Sequence, residues 1–198
     1  GAETCMQEKR EYNACMNMLG SAVKEIATFL VLAVVIVLPI RLFVAQPFVV
    51  EGESMYPTFD SGDYLIVDEL TYRFKEPERG DVVVFRYPQN PKVFYIKRVI
   101  GLPGETVSIQ QGQVTILKAD GTTIVLEEPY VVTDDATYTE STVVGPGEYF
   151  VMGDNRPRSS DSRVWGLLPD NDLMGRAFLQ LLPARDTALF PGAIELPQ

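Results

Sequence analysis

The pattern of apolar and polar positions divides the chain into three parts: a polar start, one long apolar run, and a body of short apolar stretches separated by turn formers. Residues 1–25 mix polar and charged side chains with no clear period. From Ile26 to Ile40 every residue except Thr28 is apolar, and beyond Arg41 the run resumes as Leu42-Phe43-Val44-Ala45. Twenty helical residues rise roughly 30 Å, the thickness of a bilayer core. A buried soluble helix shows a polar face, and this run shows none. A cleaved leader needs small residues before its own cut, and Phe43 stands where one is required. The pattern therefore predicts a retained transmembrane anchor over residues 26–45. Lys9, Arg10 and Lys24 precede it, whereas no Lys or Arg occurs between Arg41 and Arg73. That asymmetry places residues 1–25 in the cytoplasm and residues 46–198 on the outer face.

The body reads as β structure. Tyr64–Val67, Asp81–Tyr87 and Val93–Ile100 are rich in β-branched and aromatic residues and bounded by Gly, Pro, Asn or Asp. Shorter strands are predicted at Thr106–Ile109, Gln113–Leu117, Thr123–Leu126 and Glu148–Met152, with no soluble helix beyond two turns. Prolines 169, 183, 191 and 197 break up the C-terminal end. The expected architecture is mainly β: an N-terminal transmembrane helix followed by a twisted antiparallel, barrel-like domain.

Composition narrows the chemistry. A net charge of -10 argues against nucleic acid as a partner, since phosphate binding needs a basic surface. The chain has no histidine, which removes Ser-His-Asp and Cys-His catalysis and every His-ligated metal site. Cys5 and Cys15 both precede the apolar run, so the body has no thiol for catalysis, zinc or a disulfide framework. We expect no metal and no cofactor. Acid–base work near neutral pH then falls to a Lys, Asp, Glu or Tyr with a shifted pKa.

Three segments could carry it. Gly52-Glu53-Ser54-Met55-Tyr56-Pro57-Thr58 sets a permissive Gly before a serine and a stiff Pro after it. Such a turn exposes a hydroxyl and frees backbone N–H groups for an oxyanion; a plain surface turn has the same composition. Lys97 lies in a run apolar on both faces apart from Arg98, where burial would lower its pKa. The competing reading is an edge-strand lysine that reaches water. Gly153 to Arg163 packs turn formers, hydroxyls and alternating charges between Val151-Met152 and Trp165.

Taken together, these segments resemble the motifs of type I signal peptidases. The resemblance begins at Ile40-Arg41, runs through Gln46–Val50, Gly52–Thr58, Gly62–Tyr64, Arg79–Phe85 and Tyr95–Glu105, and ends in Met152–Gly166. It implies a Ser–Lys dyad, with Ser54 as nucleophile and Lys97 as general base. It also implies that Ser159 hydrogen-bonds the lysine amine. By the same resemblance Asp161 and Arg163 are expected to hold their loop as an ion pair, Asp154 and Arg156 to be structural, and the Ser54 N–H to bind the oxyanion. Many members supply a second donor from a serine two residues before the nucleophile; here that residue is Gly52, so a backbone N–H or water must serve. By the same resemblance Val50, Met55, Phe59, Tyr95 and Ile96 line the pocket for the residue before the cut. Phe48, Val50, Leu65, Val84 and Ile96 line the -3 pocket, and shallow walls there select Ala-X-Ala. Gly52 and the short stretch from Gly104 to Gly147 resemble the compact members of the family. The implied partners are preprotein signal peptides and the lipid bilayer, at the bacterial plasma membrane.

Two rivals share parts of this pattern. Self-cleaving Ser–Lys repressors have the dyad but carry a DNA-binding helix-turn-helix where this chain has an apolar span. A non-catalytic anchored β domain that binds a partner gives Ser54 and Lys97 no reason to meet, so their separation discriminates.

Overall fold

The computed structural model describes residues 20, 22–37, 45–132, 139–194 and 196–198. Two units are described separately, one up to Phe43 and one from Val44 onward. In the first, residues 22–37 are helical (α1). Among the described residues no helix is long and apolar enough to cross a membrane, and residues 38–44 of the expected span lie outside them. So do Cys5 and Cys15.

The second unit is built from antiparallel β-sheet. Its strands are β1 (Ala45–Val49), β2 (Tyr64–Asp68), β3 (Val82–Tyr87), β4 (Asn90–Gly101), β5 (Thr106–Gln110), β6 (Gln113–Leu117), β7 (Thr123–Val125), β8 (Thr139–Val143), β9 (Glu148–Met152), β10 (Leu168–Pro169), β11 (Leu173–Leu182) and β12 (Ala188–Leu189). The larger sheet runs β1-β2-β11-β3-β4-β9-β10, with β12 paired to β11; the smaller runs β7-β6-β5-β8. Ala45, the last residue of the expected anchor, opens β1 and pairs with Asp68. Pro47 is tolerated there because β1 is an edge strand. The strand β3 is buried on both faces for four residues, as its unbroken Val-Val-Val-Phe demands.

Seven of these strands coincide with the β-branched runs. The missed one of consequence is β11, ten residues long and inserted between β2 and β3. Leu, Met, Ala and Gln dominate its sequence and have little β propensity. Pairing on both sides holds it extended, with irregular register against each neighbour.

Three apolar clusters follow from the layers. One joins the smaller sheet to Ile100, Phe150 and Met152. A second gathers Val50, Met55, Phe59, Leu65, Val82 and Ala177, with Ile96 against it. The third contains Val83, Phe85, Val99, Tyr149, Val151 and Leu168. Lys97 pairs with Val83 across β3–β4, so its strand position puts it beside these last two.

Candidate active site

The turn after β1 carries Ser54. Gly52 there has φ of +92°, a left-handed conformation that a side chain would strain. The reversal leaves Ser54 half-buried, with its hydroxyl toward β4. Lys97 Nζ donates to Ser54 Oγ at 2.7 Å and to the Ile96 carbonyl at 2.9 Å. Lys97 is only 3% exposed, and the Tyr95 ring centroid lies 5.2 Å from its amine. Burial lowers its pKa from 10.5 to about 8, while the Asp161 and Asp154 carboxylates oppose that fall. The lysine is therefore desolvated, held against the serine hydroxyl, and able to lose its proton near neutral pH.

The loop after β9 clamps the serine from behind. A Cβ on Gly153 would lie 2.4 Å from the Ser54 carbonyl oxygen and 2.3 Å from Ser159 Oγ, so only glycine fits. Asn155 donates its backbone N–H to the Ser54 carbonyl at 3.1 Å and its side-chain amide to the Glu53 carbonyl at 3.0 Å. Asp161 accepts from Gly153 N–H at 3.0 Å, caps the short helix α2 (Ser162–Trp165), and pairs with Arg163 at 2.8 Å. Arg156 reaches the Gly153 carbonyl and pairs with Glu128 at 2.5 Å.

Asp154 is bound not to a loop neighbour but to Arg98. Arg98 is fully buried and forks onto both Asp154 oxygens, at 2.9 and 2.5 Å, while Thr58 Oγ1 donates to the same carboxylate. Arg98 Nη1 donates to the Gly80 and Gly192 carbonyls, and the Tyr130 ring covers the guanidinium at 4.2 Å. A similar buried fork joins Arg79 to Glu105. The roles of Arg98, Asn155 and Glu128 were not read from the sequence. Only Arg98 left a signal there, as a charge in an apolar strand that had to find a buried partner.

Three expected site features differ from what the geometry shows. Ser159 Oγ is buried but makes no hydrogen bond, to Lys97 or to any other group, among the described residues. The Gly52 N–H is engaged with Ser61 Oγ at 3.3 Å and is not a free second donor for an oxyanion. Ser54 N–H, by contrast, has no acceptor among the described residues. Met55 and Phe59, each 1% exposed, do not line the cleft; they pack beneath it with Val50 and Leu65. Chain reversal at the turn points both into the core, which spacing alone does not reveal. The cleft itself, about 430 Å³, runs from Ser54 and Lys97 along Phe48, Val50, Leu65, Val84, Tyr95 and Ile96. A larger cleft of about 800 Å³, lined by Tyr72, Arg86 and Met174 among others, contains none of the expected site residues. Among the described residues no cluster of acidic or cysteine ligands could hold a metal ion.

Residues 23–182 match the family described as signal peptidase, peptidase S26. Signal peptidase I of Leptolyngbya laminosa is 41% identical over 159 residues, covering 77% of this chain and 76% of its own. Signal peptidase I of Bacillus caldolyticus is 39% identical over 170 residues, covering 79% and 90%. That of Pseudomonas aeruginosa is 33% identical over 189 residues, covering 72% and 66%. The chain belongs to the S26 signal peptidase family and is a serine endopeptidase.

Proposed function

We propose that this protein removes N-terminal signal peptides from exported preproteins with a Ser54–Lys97 dyad, cutting after small residues at -3 and -1. The apolar run from Ile26 up to the start of β1 anchors it in the membrane, residues 1–25 face the cytoplasm, and the chain from β1 onward acts on the outer face. The observation that carries the reading is the 2.7 Å contact between a half-buried serine hydroxyl and a buried lysine of pKa about 8. A partner-binding β domain has no use for that pair, since burying an amine costs stability and brings such a domain no function in return.

The steps follow from the geometry. Neutral Lys97 takes the Ser54 proton as Oγ bonds to the scissile carbonyl carbon, and the Ser54 N–H stabilises the oxyanion. The lysine ammonium then gives its proton to the departing amine, leaving an acyl-enzyme. Neutral Lys97 next takes a proton from water as the water oxygen adds to the acyl carbon, then passes it to Ser54 Oγ as the ester bond breaks, freeing the leader's new C-terminus. Phe48, Val50, Leu65, Val84, Tyr95 and Ile96 offer apolar walls to the residues before the cut and exclude bulky ones by overlap. Mass spectrometry of a preprotein incubated with the purified enzyme tests the function. Cleavage after an Ala-X-Ala site is expected, and an intact preprotein overturns the reading.

Two further predictions arise here. With a lysine of pKa about 8, roughly a tenth of the enzyme is active at pH 7. The acidic limb of kcat/KM should therefore lie near pH 8, and a limb near the imidazole value of about 6.5 would contradict a lysine base. Lys97 has three donors when protonated and two are used, so one is left for the buried Ser159 hydroxyl. Ser159→Ala should lower kcat about tenfold or more while leaving the urea midpoint in place. Unchanged kcat would make Ser159 a packing residue.

A further inference from the structure

A second opening, of about 710 Å³, adjoins the Ser54 cleft; Glu53 and Arg158 line both. On its wall stands Asn155, whose backbone and side chain hold the Ser54 and Glu53 carbonyls. The two openings therefore meet at the backbone of the proposed nucleophile. Their linings differ. The first has a wall of aliphatic and aromatic side chains, from Phe48 to Ile96, with its polar groups gathered at the Ser54 end, whereas the second has no such wall and presents Tyr56, half in solvent, and the carboxylate of Asp60.

A polypeptide cut at Ser54 has two arms. If the arm before the cut fills the apolar cleft, the arm after it needs a path that starts at Ser54 and tolerates polar side chains. We propose that the second opening receives the residues that follow the cut, and that Glu53 and Arg158 select among them by charge. This rests on the endopeptidase reading above. Glu53 and Arg158 form an ion pair whose side chains are 57% and 67% exposed. Such a pair is weakly held and can exchange partners. A carboxylate just after the cut competes with Glu53 for Arg158, and an ammonium competes with Arg158 for Glu53. Two carboxylates, Glu53 and Asp60, against one guanidinium leave the opening with an excess of negative charge. Basic residues after the cut are thus preferred over acidic ones, and the preference depends on both members of the pair.

The test uses the full chain in detergent and three peptides that differ only at the second residue after the cut, carrying Lys, Gln or Asp. The wild type should cut them in that order of kcat/KM. Glu53→Gln should lower the Lys-to-Asp ratio about three- to fivefold and Arg158→Gln should raise it by a similar factor, the size expected of exposed charges. A ratio taken within one enzyme cancels any loss of active protein. High salt should compress the ratio in every enzyme. The same ratio in all three enzymes, with the Gln peptide cut normally, overturns the proposal and leaves the endopeptidase reading standing. Failure of the wild type to cut even the Gln peptide overturns both.

Discussion

Replacing Ser54 or Lys97 with alanine should lower kcat/KM on a signal-peptide substrate by about three orders of magnitude or more, and the double variant should be no slower than either single one. The two groups act on one proton, so removing either removes the shared step. Lys97→Arg fails as well, because a guanidinium stays protonated at working pH. Single-turnover assays on purified variants check this, and near wild-type activity in either alanine variant would end the assignment. Stability should move the other way. The Lys97 pKa is about 8 in the fold against an ordinary 10.5, because burial disfavours the ammonium. Below pH 8 both states are protonated, and the fold bears the full penalty of about 3 kcal/mol at 1.4 kcal/mol per unit. Between pH 8 and 10.5 the unfolded chain holds more protons than the folded one, so stability rises with pH. Above pH 10.5 the penalty is gone. Lys97→Met should be inactive, at least as stable as wild type at pH 7, and without this rise in stability between pH 8 and 10.5. A variant destabilised at pH 7 by more than about 1 kcal/mol would mean that Lys97 is favourably paired as a cation in the fold.

Asp154→Ala should cost about 3–5 kcal/mol, a large share of the stability of an ordinary domain. It leaves the fully buried Arg98 guanidinium without its carboxylate and shut off from bulk solvent. Thr58 loses its acceptor in the same step. The loop that touches the Ser54 carbonyl through Gly153 and Asn155 loosens with it, so activity should fall even where the variant remains folded. Urea unfolding read by the fluorescence of Trp165 measures the loss. The double variant Arg98→Met, Asp154→Leu should recover much of it, since an apolar pair of similar volume carries no uncompensated charge. A single variant within about 1 kcal/mol of wild type would show that Arg98 finds another partner.

Local pattern carried the reading furthest where chemistry and propensity agree. Val, Ile, Phe and Tyr runs bounded by turn formers marked β2 to β7 and β9, because β-branched side chains favour the extended backbone. The absence of histidine directed attention to Lys97, and its apolar strand correctly implied a buried amine of lowered pKa. The turn at Gly52-Glu53-Ser54 was legible because only glycine takes a φ of +92° readily.

What the sequence by itself determined was therefore the mainly β character of the body, the positions of most strands along the chain, and, through the family resemblance, which serine and lysine to propose. Tertiary structure alone decided that β11 is a strand, since Leu173–Leu182 has little preference of its own and is held extended by pairing with β2 and β3. It also turned Met55 and Phe59 beneath the cleft, left Ser159 without a bond, and matched Arg98 with Asp154 across 56 positions. Local backbone preference acts over a few residues, whereas the partner of a buried charge is set by which distant strands and loops meet. The pattern along the chain could show that Arg98 needed a carboxylate, and only the packed sheet could decide which one.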